Sequence, residues 1–164
     1  GGRVFVFNSL AKFGAAGVAG GAAGLETVAG ATGDALFDTA ATRATLFNRG
    51  AVGGFARYEG DTYHRVPGAT NGNPWFITTL WMAEQEIAAA KNEVDLAAVK
   101  EYFNWCVKYA KPSGMLSEQL HSETGEQLSV SPLVWSHAEF VRAVIAYLDK
   151  AEALGLCASC NPVY

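Results

Sequence analysis

The residues best equipped for chemistry lie between Pro112 and Phe140, in PSGMLSEQLHSETGEQLSVSPLVWSHAEF. A carboxylate stands beside an amide at Glu118-Gln119, and an indole beside a hydroxyl and an imidazole at Trp135-Ser136-His137. Long loops inside compact domains are usually functional or disordered. This one carries Met115, Leu116, Leu120, Leu128, Val130, Leu133 and Trp135, too many apolar residues for disorder. It reads as an ordered loop, and ordered loops on rigid scaffolds are where chemistry tends to sit. Taken alone, Glu118 is an ordinary loop carboxylate. Ser117 and Ser136 have no nucleophile–base arrangement, so a serine hydrolase is set aside. A second stretch, Phe55 to His64, mixes Arg57, Tyr58, Glu59 and Asp61 with glycines and further rings. Rings can face sugar rings and charged forks can take hydroxyls. The same composition also suits a surface loop with an Arg–Glu ion pair, and both readings stand.

The elements that must hold these stretches are helical. Val4 to Gly30 is apolar and rich in Gly and Ala, with Gly17/Gly21 and Gly20/Gly24 at GxxxG spacing. Its length invites a membrane-spanning reading. Asn8, Lys12 and Glu26 interrupt it, which favours a buried helix whose small face admits a close neighbour. Asp34 is the expected cap of a helix over 35–47, closed by Asn48-Arg49-Gly50. Asn73 and Pro74 read as the cap and first position of the next helix, with Phe76, Leu80, Ala83, Ile87 and Ala90 on one face. Asp95 is the expected cap of a helix that buries Leu96, Val99, Phe103, Cys106 and Ala110 and stops at Pro112 and Gly114. Ser136 and Glu139 suggest a capping box for a last helix running to about Leu154. No strand is evident beyond Val4 to Phe7. The pattern predicts an all-α fold of paired antiparallel helices, with both long loops on one side. One domain over 1–154 and a tail over 155–164 account for the 164 residues.

Composition narrows the function. Half the residues are hydrophobic and 17% are charged, which suits a globular core. The net charge is -4 and no basic cluster exists, so the electrostatic footprint of nucleic-acid binding is missing. Cys106, Cys157 and Cys160 are an odd set, so a fully paired framework within the chain is excluded. Cys157 and Cys160 have metal-ligand spacing but no second ligand pair, and His64, His121 and His137 are scattered. A structural zinc needs four ligands. A local disulfide or two free thiols is expected instead, with no metal and no cofactor.

Four segments, FARYEGDTY (55–63), GNPWFITTLWMAE (72–84), PSGMLSEQ (112–119) and PLVWSHAEF (132–140), occur in the order found in glucoamylases of glycoside hydrolase family 15. The chain resembles that family, and the prokaryotic glucoamylase and glucodextranase branch more than the fungal one, where the last segment reads WSY. Residues 1–50 match only in character. The resemblance implies an (α/α)6 barrel with its site at one rim, of which this chain holds about half. It implies that Glu118 is the general base acting on the attacking water. An inverting site sets two carboxyl groups roughly 6.5–9.5 Å apart to admit that water. It implies that Arg57 binds hydroxyls of the terminal glucose. Tyr58 and Trp75 would line the site, Trp75 towards the leaving sugar, and Trp135 would floor the glucose pocket. Glu59 and Asp61 would orient Arg57 or the loop. Trp75 and Trp135 could equally be core residues, and His137 suits capping or support better than catalysis.

The family's general acid lies in a WEE-like motif, which this chain lacks. The chain opens at Gly1-Gly2-Arg3 without an initiator Met. It is therefore expected to be a fragment, a processed chain or a cloned domain that acts with an N-terminal polypeptide of the same enzyme. The expected activity is release of glucose from non-reducing ends of α-glucans with inversion, at α-1,4 linkages first and α-1,6 linkages second. The alternative is a non-catalytic carbohydrate-binding or regulatory helical module. Partners are an α-glucan or oligosaccharide and the N-terminal polypeptide, with no nucleic acid and no membrane. A secreted protein is expected, with the cytoplasm as the alternative.

Overall fold

A computed structural model describes residues 39–69, 71–157 and 160. The helix expected over 4–30 and the cap expected at Asp34 lie outside them. Among the described residues five helices follow one another: α1 (Thr39–Leu46), α2 (Phe76–Ala89), α3 (Glu93–Ala98), α4 (Lys100–Tyr109) and α5 (Val134–Ala153). Between α4 and α5 lies a two-stranded antiparallel ribbon, β1 (Gln119–Leu120) and β2 (Gln127–Leu128), with Gln119 opposite Leu128. Among the described residues no helix is long and apolar enough to cross a membrane.

Helix α2 is the centre. Phe76 through Ala83 are all buried, so it is surrounded on every side. Its Thr78-Thr79 pair and Ile77 are mediocre helix formers, each costing about 0.7 kcal/mol or less against Ala. Fully burying a side chain such as Phe76 or Leu80 contributes about 1.5–3 kcal/mol, so packing outweighs propensity. The main partner of α2 is α5, with α4 and α3 completing the wall. Arg43 of α1 and Tyr102 of α4 both hydrogen-bond Glu86 of α2 at 2.7 Å, tying three helices together. Burial, and then the neighbouring Glu86, hold the Tyr102 phenol well above its ordinary range.

Several helix starts differ from the sequence expectation, each for a visible reason. Asn73 does not cap α2. Trp75 is extended (φ -113, ψ 142) because its backbone bridges Phe55 and Gln119, so the helix begins only at Phe76. Asn92, not Asp95, caps α3 by accepting the Asp95 N–H at 3.0 Å, and the Asp95 carboxylate accepts the Lys91 N–H at 2.9 Å. The cap thus sits one turn earlier than expected. The helix expected from Asp95 onward divides at Val99, where a tighter turn brings the Tyr102 N–H to the Val99 carbonyl. Ser136 and Glu139 lie inside α5, which starts from Leu133 with no side-chain cap. Helix α1 stops at Leu46 rather than 47, because Phe47 leaves to pair with Phe55.

Cys157 and Cys160 form a disulfide, the first of the two alternatives, and so offer no thiolate pair to a metal. Cys106 is free and buried, and burial pushes its thiol well above the ordinary range. Unreduced native protein is therefore expected to show no fast-reacting thiol. Denaturant without reductant should expose one, measured by absorbance with a chromogenic disulfide reagent. Three thiols under those conditions would contradict the pairing.

Candidate active site

The two long loops meet in a row of backbone bridges that runs into the β1–β2 ribbon. Phe47 pairs with Phe55, Phe55 with Trp75, Trp75 with Gln119, and Gln119 with Leu128, all antiparallel. Hydrophobic burial puts the row in place: Phe55 and Gln119 are fully buried and Trp75 nearly so. The Phe55 carbonyl accepts from the Trp75 N–H at 2.9 Å and the Thr78 hydroxyl at 2.7 Å, and the Phe55 N–H donates to Thr79 Oγ1 at 3.0 Å. Gly54 permits the approach. A Cβ there would lie 2.5 Å from the Trp105 ring and 2.9 Å from Pro74, and φ is +77.

Two residues past Phe55, Arg57 makes a fork on Asp61, Nε to Oδ2 at 2.9 Å and Nη2 to Oδ1 at 3.0 Å. Asp61 is buried and also accepts the Tyr63 N–H at 3.0 Å. Gly72 backs it so closely that a Cβ would stand 2.9 Å from that of Asp61. The guanidinium carbon lies 4.4 Å from the centre of the Trp75 ring, 5.0 Å from Tyr58 and 5.3 Å from Tyr63. Burial opposes the Arg57 charge, but the bonds and charge of Asp61 outweigh it and hold the pKa above its ordinary value. Arg57 is thus a fixed cation in an aromatic cage, three-quarters buried, with a polar edge left to solvent. Composition suggested an Arg–Glu ion pair; the pair seen at Arg57 is with Asp61.

Glu118 precedes Gln119, and successive residues of a strand face opposite ways. Gln119 is buried and accepts the Asn73 amide at 2.8 Å, while Glu118 is partly exposed. The Ser129 hydroxyl donates to Glu118 Oε2, and the Gln119 amide approaches the same oxygen at 3.4 Å. Ser129 holds a left-handed φ of 63 beside this carboxylate, a conformation that tends to persist where surroundings over-determine it. Trp135 enters from the first turn of α5. Its ring is 38% exposed and packs edge-on against Trp81 at 5.9 Å. So Arg57, Tyr58 and Trp75 are in direct contact, and Glu118 joins them through the Trp75–Gln119 bridge. Trp75 is both core and cage, whereas Trp135 keeps an open face.

The resemblance offered Glu59 and Asp61 together as residues that orient Arg57 or the loop, and Asp61 makes the fork. Tyr63 as a third ring, Ser129 on the carboxylate and Asn73 as the brace were not assigned in sequence. Tyr63 follows Arg57 in a period-two pattern that could have suggested it. Nothing local signals Ser129, which reaches Glu118 only through the ribbon's register.

Comparison with known proteins bears on this geometry. Residues 94–145 match the family described as glycosyl hydrolases family 15. An uncharacterized glycosyl hydrolase of Methanocaldococcus jannaschii is 38% identical over 55% of this chain and 15% of its own length. Glucoamylase-1 of Arthroderma benhamiae is 29% identical over 52% of the chain and 20% of its own. A glucoamylase of a Clostridium species is 37% identical over 49% and 10%. The crystal structure of a bacterial glucoamylase complexed with acarbose superposes with a TM-score of 0.57 at 27% identity, over 70% of this chain and 18% of that one. The chain therefore spans a fifth or less of the length of these relatives. Its paired helices are consistent with about half of the barrel expected above.

Proposed function

We propose, starting from a chain that is part of a glycoside hydrolase family 15 domain of the glucoamylase type, that it supplies the base and one side of the glucose pocket of an inverting exo-acting α-glucosidase. Glu118 takes a proton from the water that attacks the anomeric carbon. Arg57, held by Asp61, donates to hydroxyls of the terminal glucose, with Tyr58 and Trp75 against its rings and Trp135 as its floor. The observation that carries this reading is the bridge row, which sets the carboxylate strand directly beside the Trp75 that stacks on Arg57. A buried ion-paired guanidinium and flat rings suit a polyhydroxylated ring better than an apolar ligand. The general acid comes from the rest of the domain, in keeping with the small share of each relative that this chain spans. Secretion is part of the proposal, and the local disulfide favours an oxidising compartment.

The test is a complete domain containing this chain, assayed on maltooligosaccharides and isomaltose by proton NMR. The initial product is expected to be β-glucose, released from non-reducing ends. Release of α-glucose would overturn inversion. Glucose binding without any release would favour the non-catalytic carbohydrate-binding module.

A further inference from the structure

Three consecutive residues carry the base candidate, and each is fastened by its backbone to the segment that opens α5. The Leu116 carbonyl accepts the Leu133 N–H at 2.9 Å, and the Leu116 N–H donates to His137 Nε2 at 3.1 Å. The Ser117 carbonyl accepts the Ser136 hydroxyl at 2.7 Å in a fully buried bond. The Glu118 N–H donates to the Val130 carbonyl at 2.9 Å. Ser117 turns its own hydroxyl inward onto the Gln119 carbonyl at 2.7 Å. Leu133, Ser136 and His137 thus form a clamp on Leu116 and Ser117, the segment that leads into Glu118 and β1, and the same turn bears Trp135. Of these bonds, the one to His137 is set by its ring chemistry. An imidazole nitrogen that accepts an N–H must itself be unprotonated, which in the neutral ring leaves the proton on Nδ1.

We infer that His137, as the neutral Nδ1–H tautomer, is a positioning residue: its Nε2 holds the Leu116 N–H and so fixes where the segment delivers Glu118. Its bearing on turnover rests on Glu118 being the base. The clamp itself does not, which allows the two to be tested apart. A hydrogen bond of ordinary net strength changes the population of an opened segment by roughly five- to tenfold. Hydrogen–deuterium exchange on the complete domain reads that opening directly. In H137F, which keeps a flat ring without an acceptor, the Leu116 and Glu118 amides are expected to exchange about five- to tenfold faster. In H137Q, whose side-chain carbonyl can accept the Leu116 N–H, they should return towards wild type. Leu80 and Ala83 of α2 should keep their protection in both variants.

Unchanged Leu116 exchange in folded H137F, or Gln performing no better than Phe, would overturn the clamp. Should H137F loosen α2 as well, the imidazole nitrogen-15 spectrum of the wild type decides: a proton on Nδ1 is expected, and a proton on Nε2 overturns the inference. In the complete domain, H137F should lower kcat with little change in KM, because Arg57 and the rings that meet the sugar are untouched. A wild-type domain without turnover would end the hydrolase reading, and exchange would still decide the clamp.

Discussion

Replacing Glu118 by glutamine is expected to lower turnover by about 10²–10⁴-fold, the usual share of one general base, while sugar affinity stays within about threefold. The substitution is nearly isosteric. A glutamine carbonyl can still accept the Ser129 hydroxyl that now reaches Glu118 Oε2, and the backbone bond from Glu118 to Val130 is unaffected. What disappears is the capacity to take a proton from water. The complete domain is the material, with initial rates on maltose for turnover and calorimetric titration with the same sugar for affinity. Full turnover in E118Q would remove Glu118 from the chemistry. Loss of affinity together with turnover would make it a sugar ligand or a structural anchor instead.

Asp61→Ala is expected to be the most damaging change among the sugar-binding elements. Asp61 is 1% exposed and gives both oxygens to Arg57, one of them also to the Tyr63 N–H. Removing it leaves a mostly buried guanidinium without its counter-charge and frees the loop that presents Tyr58 and Tyr63. Breaking a buried pair from one side costs about 3–5 kcal/mol. Arg57 keeps about a quarter of its surface in water, so about 2–3 kcal/mol is the expected loss in urea denaturation. Sugar affinity should fall at least about tenfold, because an untethered Arg57 must be re-ordered on binding. D61N, which keeps an acceptor and the shape, should lose less of both. Unchanged affinity in folded D61A would show that Arg57 does not need this anchor or does not meet the sugar.

Most of the helical content was legible along the chain. Phe76, Leu80, Ala83 and Ile87 repeat at helical spacing and all lie buried in α2. Helix starts were less legible, because capping residues have competing uses. Asn73 has the chemistry of a cap, yet it accepts the Val66 N–H and donates to His64 and to Gln119, 46 residues away. Ser136 and Glu139 stand at capping-box spacing, but Ser136 serves Ser117 and Glu139 pairs with Arg142. For Asn73 and Ser136 a buried tertiary partner takes the polar group, and for Glu139 an arginine one turn along the same helix does; one such bond is comparable to a cap in value.

What the sequence by itself carried was the all-α class, the two long loops and, through four motifs in order, the resemblance to glycoside hydrolase family 15 and the residues proposed for the site. Those depend on local periodicity and on residue types at fixed spacing, which a chain carries before it folds. The tertiary structure alone decided that Phe55, Trp75 and Gln119 stand side by side, that Asp61 forks both oxygens onto Arg57, and that Ser136 and His137 grip the segment ahead of Glu118. Each of these is a choice among chemically equivalent partners, and local pattern does not distinguish them. It is settled only when packing around α2 removes the loops from water and every buried donor must find an acceptor within reach.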